Sequence, residues 1–148
     1  MTPAGVTGYN HSKNFSIAGF TINGGAGSNL NEASGGATTS CCVSIPTHWH
    51  KNLKATVTWS YDQRQDDSRP LPPPAEMTVD IPEYKDVGRV QVHFYDGPKI
   101  AIVVSPCDIQ HPFYPMSAQD KLPWKDGFSK EEAINISKKT KDESMVTC

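Results

Sequence analysis

The chain has 148 residues and a formal net charge of −2, from 14 Lys and Arg against 16 Asp and Glu. This length predicts a single domain over residues 1–148 with a buried core. The balanced charge argues against nucleic-acid binding, which usually needs a basic face. No apolar run approaches the roughly 20 residues that span a bilayer. Residues 1–5 lack the basic start and apolar stretch of a signal peptide, which indicates a cytosolic protein or a mature form without its leader.

The first predicted strand carries a bulge. Phe15 and Ile17 have one parity along the chain, whereas Phe20 and Ile22 have the other. One extra residue at positions 18–19 would return both pairs to one face, because side chains alternate along a strand. We therefore predict a bulged strand here.

The segment that follows this strand is small and polar. Residues 23–36 are dominated by Gly, Ser, Asn and Ala. Such composition is typical of connections between regular elements, and we predict a flexible loop.

Alternation predicts further strands. Positions 53–61 alternate apolar with polar residues more regularly than any other stretch, and positions 77–81 resume the pattern. The next strand has an inward and an outward set, namely Val90, Val92 and Phe94 against Arg89, Gln91 and His93. A turn over residues 96–99 and an apolar run over residues 100–104 complete a hairpin whose second strand is buried between two layers.

The last part of the chain changes character. Ser129 and Glu132 have capping-box spacing, which predicts a short helix over about residues 130–138. Abundant Pro and Gly with short apolar runs favour strands elsewhere. The predicted fold is a mainly β, antiparallel β-sandwich-like domain with a short C-terminal helix.

Four cysteines allow three complete pairings, which the sequence cannot distinguish. Our preferred pairing joins Cys41 or Cys42 to Cys107, because both ends lie beside predicted strands. Cys148 is then free or frayed at the terminus. The spacing contains no C-x-x-C pair, which argues against zinc.

Two groups of residues resemble chemical motifs without their geometry. Ser105, Asp108 and His111 have the letters of a hydrolase triad, yet Ser105 lies in no nucleophile elbow, and a polar turn is the simpler interpretation. His48 and His50 have a spacing that some metal sites use, but no third ligand is near in sequence, although His93 and His111 could approach in the fold. We predict no catalytic residue, no metal and no cofactor.

A proline-rich loop and several aromatic residues are candidates for binding a partner. Residues 63–74 form a long exposed connection with three consecutive prolines and both signs of charge. Aromatic residues beside such stretches are common interface anchors, here Tyr61, Tyr84, Tyr114 and Trp124. The predicted partner-binding residues are Arg64, Asp66, Asp67, Arg69, Tyr114 and Trp124.

Several motifs in order resemble a known family. They are Gly8-Tyr9-Asn10-His11, Ile22-Asn23-Gly24, Gly35-Gly36, Cys41-Cys42-Val43-Ser44-Ile45-Pro46 with Trp49, Leu53-Lys54 running to Val57 and Trp59, Val79 to Tyr84, Val92-His93-Phe94, Val104-Ser105 and His111-Pro112-Phe113-Tyr114-Pro115. Together they resemble a family of small Gram-negative lipoproteins that carry a domain of formerly unknown function. The likeness covers residues 8–115 and leaves residues 116–148 as a C-terminal helical extension.

The resemblance implies a function. Members of that family act as immunity proteins to phospholipase effectors of the type VI secretion system and are lipid-anchored in the periplasm. It therefore implies a non-enzymatic protein that binds and inhibits a cognate phospholipase effector. Contact with the membrane would occur only through a lipid anchor that these residues lack, and no nucleic acid would be bound. The alternative is an envelope lipoprotein module that binds a glycan or lipid through exposed aromatics such as Trp49, Tyr114 and Trp124.

Overall fold

The structure, a computed structural model, describes residues 1–12, 14–31, 34–35, 39–62, 70–96, 99–107, 109 and 114–116. This part of the chain is mainly β. Its strands are β1 (Thr2–Asn10), β2 (Ser16–Ile22), β3 (Gly25–Gly27), β4 (Ser34–Gly35), β5 (Ser40–Ile45), β6 (Lys54–Asp62), β7 (Ala75–Asp80), β8 (Arg89–Phe94) and β9 (Ile100–Ser105).

The strands form two sheets, in the sandwich-like arrangement predicted from the sequence. The first sheet has the order β4-β1-β8-β9, with β5 also paired to β1, and the second has the order β3-β2-β6-β7. Pairing is antiparallel except between β1 and β8, which run parallel. The helix predicted over residues 130–138 lies outside the described residues.

Aromatic rings join the two sheets. Phe94 of the first sheet contacts Phe20 and Trp59 of the second edge to face, with ring centroids 5.1 and 5.5 Å away. All three side chains are at least 97 % buried. Such edge-to-face pairs contribute roughly 0.5–1.5 kcal/mol each beyond their buried area. They form the middle of a core that all the long strands share.

The predicted bulge in β2 is confirmed. The register of β2 against β6 shifts between Ile17 and Gly19. On either side of the shift, Ile17, Phe20 and Ile22 all point into the core. The extra residue thus keeps Ile17 on the same face as Phe20 and Ile22, whereas Phe15 precedes the strand and lies outside the core.

The other alternating stretches also form the predicted strands. β6 buries Ala55, Val57 and Trp59 and leaves the intervening residues half-buried. β7 pairs with β6 along its whole length. β8 and β9 form the predicted antiparallel hairpin, and β9 is buried on both faces.

The central strand β1 was not predicted from the sequence. It lies between β5 and β8 and is buried on both faces over its second half. A strand buried on both faces shows no alternation, and its small residues resemble a loop. Gly8 is required because a Cβ atom there would collide with Phe20 and Leu30.

The flexible loop predicted over residues 23–36 is wrong in part. Residues of β3 pair with β2, and those of β4 pair with β1. Leu30 is buried and forms a bridge to Ile17. Glycine is present in β3 because the ring of Phe20 packs on the backbone at Gly27.

We expect Gly27→Ala to destabilise the fold by about 1–3 kcal/mol, because the added methyl group would overlap the buried Phe20 ring. Gly19→Ala is the matched control, since a Cβ atom at Gly19 meets no atom within 4 Å. Urea unfolding of both variants measures the difference. Equal midpoints for the two variants would contradict this account of β3.

Candidate functional site

The outer face of the first sheet is buried, although its residues are polar. Gln91 and His93 point away from the inter-sheet core, as predicted, but both are 0 % exposed. The segment after β9 covers them, because Cys107, Ile109 and Tyr114 pack there as a second small cluster. A polar layer therefore lies inside the molecule.

His93 is the centre of this layer. Its Nδ1 lies 2.8 Å from Nε2 of His11, and its Nε2 lies 2.6 Å from the hydroxyl of Tyr114. A neutral imidazole carries one hydrogen, so His93 donates to one of these partners and accepts from the other. The ring of Tyr9 stacks on His93 at 4.7 Å. These contacts hold the imidazole in one orientation.

Burial shifts the pKa values of this layer. The pKa of His93 is lowered well below its usual value, mainly by burial and further by the neighbouring His11. The pKa of Tyr114 is raised, mainly by burial and further by Tyr9 and Tyr95. Both side chains are therefore neutral at physiological pH.

Gln91 is held as firmly as His93. Its Oε1 accepts a hydrogen bond from the hydroxyl of Tyr9 at 2.9 Å. Its Nε2 donates to the carbonyl oxygens of Ser105 and Cys107. Satisfied buried polar groups of this kind specify one arrangement of the segment that covers them.

A cavity of about 350 Å³ opens at one end of the sandwich. Of the described strands, three finish at this end of the sandwich, namely β1 and β8 of the first sheet and β6 of the second. The strands β2 and β7 begin at the same end. The residues that line the cavity lie at these strand ends or next to them in sequence: Ser12, Asn14, Phe15, Tyr61, Pro72, Pro73, Pro74, Ala75, Tyr95 and Asp96. We refer to this site as the end cavity. Its volume is in the range of small-ligand sites.

Asn10 organises the backbone beside the end cavity. Its buried side chain donates to the carbonyl oxygens of Phe15 and Asn31 and accepts from the amide of Ser12. These bonds fix the turn between β1 and β2. Phe15 consequently stands on the wall of the end cavity, although its parity alone predicted a core residue.

A hydrogen-bonded polar group forms one side of the end cavity. Oδ1 of Asp96 accepts from the hydroxyl of Ser12 at 2.6 Å and from Nδ2 of Asn14 at 2.9 Å. The Ser12 hydroxyl oxygen accepts in turn from the amide of Asn14. Asp96 is thus held with its second carboxylate oxygen, Oδ2, unused by the described residues.

Aromatic rings form another part of the wall of the end cavity. Phe15 and Tyr61 meet edge to face at 6.0 Å. The Tyr61 hydroxyl oxygen accepts from Nε1 of Trp59 at 2.9 Å, and among the described residues its own hydrogen has no acceptor. Tyr95 stacks on His11 at 4.4 Å, which connects the end cavity to the buried polar layer. The end cavity combines apolar surfaces with one fixed acceptor and one fixed donor.

The structure describes one of the six predicted partner-binding residues, Tyr114. Arg64, Asp66, Asp67, Arg69 and Trp124 lie outside the described residues. Tyr114 is 2 % exposed, so the structure places it in the buried layer and not on a partner surface. Of the other aromatics, Tyr61 lines the end cavity, whereas Tyr84 is buried and donates to the carbonyl of Pro46.

The structure does not join Cys41 or Cys42 to Cys107, which corrects the preferred pairing. Cys41 and Cys42 lie at the edge strand β5, whereas Cys107 follows β9 at the other edge of the sheet, three strand spacings of about 4.8 Å away. Cys41 and Cys42 are instead bonded to each other across a cis peptide, with Cα atoms 3.1 Å apart. This is closer than the roughly 4.4 Å at which typical disulfides begin.

The residues that resemble chemical motifs occupy ordinary positions. His48 and His50 are exposed in the connection after β5. The hydroxyl of Ser105 accepts from the amide of Cys107 at 3.0 Å, as expected for a polar turn. Across the described ranges, no group of three or more His, Cys, Asp and Glu side chains is arranged to hold a metal ion.

The end cavity was missed in the sequence because its residues come from three separate connections and from the ends of β6 and β7. The available signal was positional: Ser12, Asn14 and Phe15 follow β1, and Tyr95 and Asp96 follow β8. Since β1 was not predicted as a strand, its end could not be matched to that of β8.

Comparison with known proteins places the chain in a family. Residues 9–102 match the model of the family described as "Protein of unknown function (DUF3304)". The chain belongs to this family. No curated protein and no solved structure matches the chain. In the part of the chain that the structure describes, no helix is long and apolar enough to cross a membrane.

We expect the stability of the folded chain to decrease on mild acidification because of His93. Its pKa is lowered in the folded state, whereas the unfolded value is about 6.5. Below that pH the unfolded chain binds a proton that the folded chain does not. The free energy of unfolding should therefore fall between about pH 7 and 5.5, by up to roughly 1.4 kcal/mol per pH unit.

Denaturant unfolding of the wild type and of His93→Gln across this range measures the contribution of His93. The slope should be smaller in His93→Gln. The exposed His50 provides the matched variant, His50→Gln, which should keep the wild-type slope. An identical slope in all three proteins would show that His93 is not the group responsible.

Proposed function

We propose that this chain is an immunity protein that binds and inhibits a cognate phospholipase effector of the type VI secretion system. In the proposal it is not an enzyme. It acts in the periplasm, where the full-length form is attached to the membrane by a lipid anchor. The resemblance of its motifs to immunity lipoproteins motivates this function.

The observation that carries the proposal is an exposed apolar side chain on a stiff segment. Leu71 is 42 % exposed, and in the described ranges Met1 is the other exposed large hydrophobic residue. Leu71 lies between Pro70 and Pro72, whose rings fix the backbone dihedral φ. A segment restricted in this way loses little conformational entropy when it docks.

The position of this segment supports a role in inhibition. Residues 72–74 form one wall of the end cavity, and Asp62 at the end of β6 marks where the same connection leaves the second sheet. The whole connection from residue 63 to residue 74 thus starts and finishes at one end of the sandwich. A connection whose two ends are fixed in this way can occupy the substrate groove of a lipase and exclude phospholipid.

The first test is capture of the effector. The purified chain is mixed with a catalytically inactive form of any phospholipase encoded beside its gene, and phospholipase assays use the active form. The proposal expects a one-to-one complex and loss of phospholipase activity. Absence of both would contradict the immunity function and favour an envelope module that binds a glycan or lipid.

We expect Leu71→Asp to weaken effector binding by at least about tenfold, because an apolar anchor of this size contributes 1–2 kcal/mol or more when buried in an interface. Ser44→Asp adds the same charge at an exposed position of β5 and should bind as the wild type. Titration calorimetry measures both affinities. An unchanged affinity of Leu71→Asp would remove this segment from the interface.

The charged residues of the same loop provide a separate prediction. Changing Asp66, Asp67 and Arg69 together to Ala should slow association with the effector and reduce its dependence on salt, because charges at an interface rim mainly steer the encounter. Stopped-flow association at two ionic strengths measures this. Changing Asp86 and Lys85, which are exposed after β7, to Ala serves as the control.

A further inference from the structure

We infer that the end cavity is a binding site for a saccharide, with one pyranose ring held between the Tyr61 and Asp96 sides. This inference is independent of the proposed function, because it concerns a small ligand bound by the isolated chain. It differs from the aromatic patch considered in the sequence, since Tyr114 is buried and Trp49 is half-buried, with its Nε1 donating to the carbonyl of Ile81.

The size and shape of the end cavity suit a saccharide. About 350 Å³ accommodates one or two sugar rings and lies at the lower end of small-ligand sites. It opens to solvent at the end of the sandwich, so a ring at the end of a longer glycan can enter.

The end cavity combines a fixed hydrogen-bond acceptor with a fixed donor. Asp96 presents Oδ2 while its Oδ1 is held by Ser12 and Asn14. Tyr61 presents its hydroxyl hydrogen while its oxygen is held by Trp59. A sugar hydroxyl both donates and accepts, so a ring with several hydroxyls satisfies both groups at once. Preorganised partners of this kind lose little entropy on binding.

The end cavity also has an apolar surface. Phe15 and Tyr61 present aromatic surface, and residues 72–74 present proline rings. The C–H face of a pyranose packs on such rings while its hydroxyl rim reaches polar groups. A fatty acyl chain would leave Asp96 Oδ2 and the Tyr61 hydrogen without partners, which costs affinity.

A cationic ligand is the main rival for an aromatic site with a carboxylate. One face of the Tyr95 ring already stacks on His11, and the ammonium group of Lys99 lies 5.0 Å from its centroid. The Tyr95 ring therefore already has a cation of this chain beside it. The hydrogen of the Tyr61 hydroxyl would also face a cation unfavourably. The arrangement favours a neutral hydroxylated ring.

The test is a titration of the ¹⁵N-labelled full chain with cellotriose and with chitotriose, followed by amide chemical shifts. Glycerol controls for hydroxyl groups without a ring, and tetramethylammonium controls for a cation. The inference expects saturable shifts with millimolar affinity for at least one trisaccharide, centred on the amides of Asn14, Tyr61, Tyr95 and Asp96. Glycerol should not saturate the site.

Two variants identify the groups responsible. Tyr61→Phe removes the donor, and Asp96→Asn replaces the free carboxylate oxygen by an amide; each should weaken binding by about five- to tenfold. Tyr84→Phe and Asp80→Asn make the same chemical changes away from the end cavity and should bind as the wild type. If Tyr61→Phe is destabilised, Asp96→Asn still tests the site, because Asp96 is exposed and its replacement should leave the fold intact.

Three results would overturn the inference. The first is no shift with either trisaccharide up to about 20 mM. The second is a set of shifts away from the end cavity, or binding that both variants retain. The third is saturation by tetramethylammonium alone, which would assign the end cavity to a cation.

Discussion

The contact of Phe94 with Trp59 and Phe20 is the interaction on which the rest of the structure depends. It fixes the distance and the relative orientation of the two sheets. Trp59 also donates through its Nε1 to the hydroxyl of Tyr61. One indole ring therefore packs in the core with one face and positions a wall of the end cavity with its polar edge. The site inherits the rigidity of the core because the same residue belongs to both.

The strands that alternate could be predicted because only one of their faces is apolar. β6 is the clearest example, and even the bulge of β2 could be located from the change of parity between Ile17 and Phe20. β1 could not be predicted for the opposite reason. It is buried on both faces, contains Gly5 and Gly8, and pairs in parallel with a strand about 80 residues later. Its stability comes from non-local contacts, which a local pattern does not contain.

The candidate site shows the same division. The outward parity of Gln91 and His93 was correct, but their burial depends on Cys107, Ile109 and Tyr114, which follow β9 in the chain. Polar residues on an outward face predict exposure to solvent. Their burial can be predicted only when the segment that covers the face is known. The sequence therefore placed Tyr114 at a partner surface, whereas its hydroxyl lies 2.6 Å from His93 inside the protein. The prolines of residues 72–74 were correctly assigned to an exposed connection, and the structure adds that they form a wall.

The titratable groups described around the end cavity are engaged with neighbouring residues of the chain. General acid–base chemistry needs a group within hydrogen-bond reach of the ligand and with a pKa near the working pH. Of the two histidines described near the end cavity, His11 stacks behind the Tyr95 ring, and His93 lies deeper still with both nitrogens engaged. Asp96 is already bonded to Ser12 and Asn14, so the serine hydroxyl donates to a carboxylate that fixes it in place. Ser12, Asn14 and Asp96 form hydrogen bonds that hold one another still, and a ligand meets a rigid surface of fixed donors and acceptors.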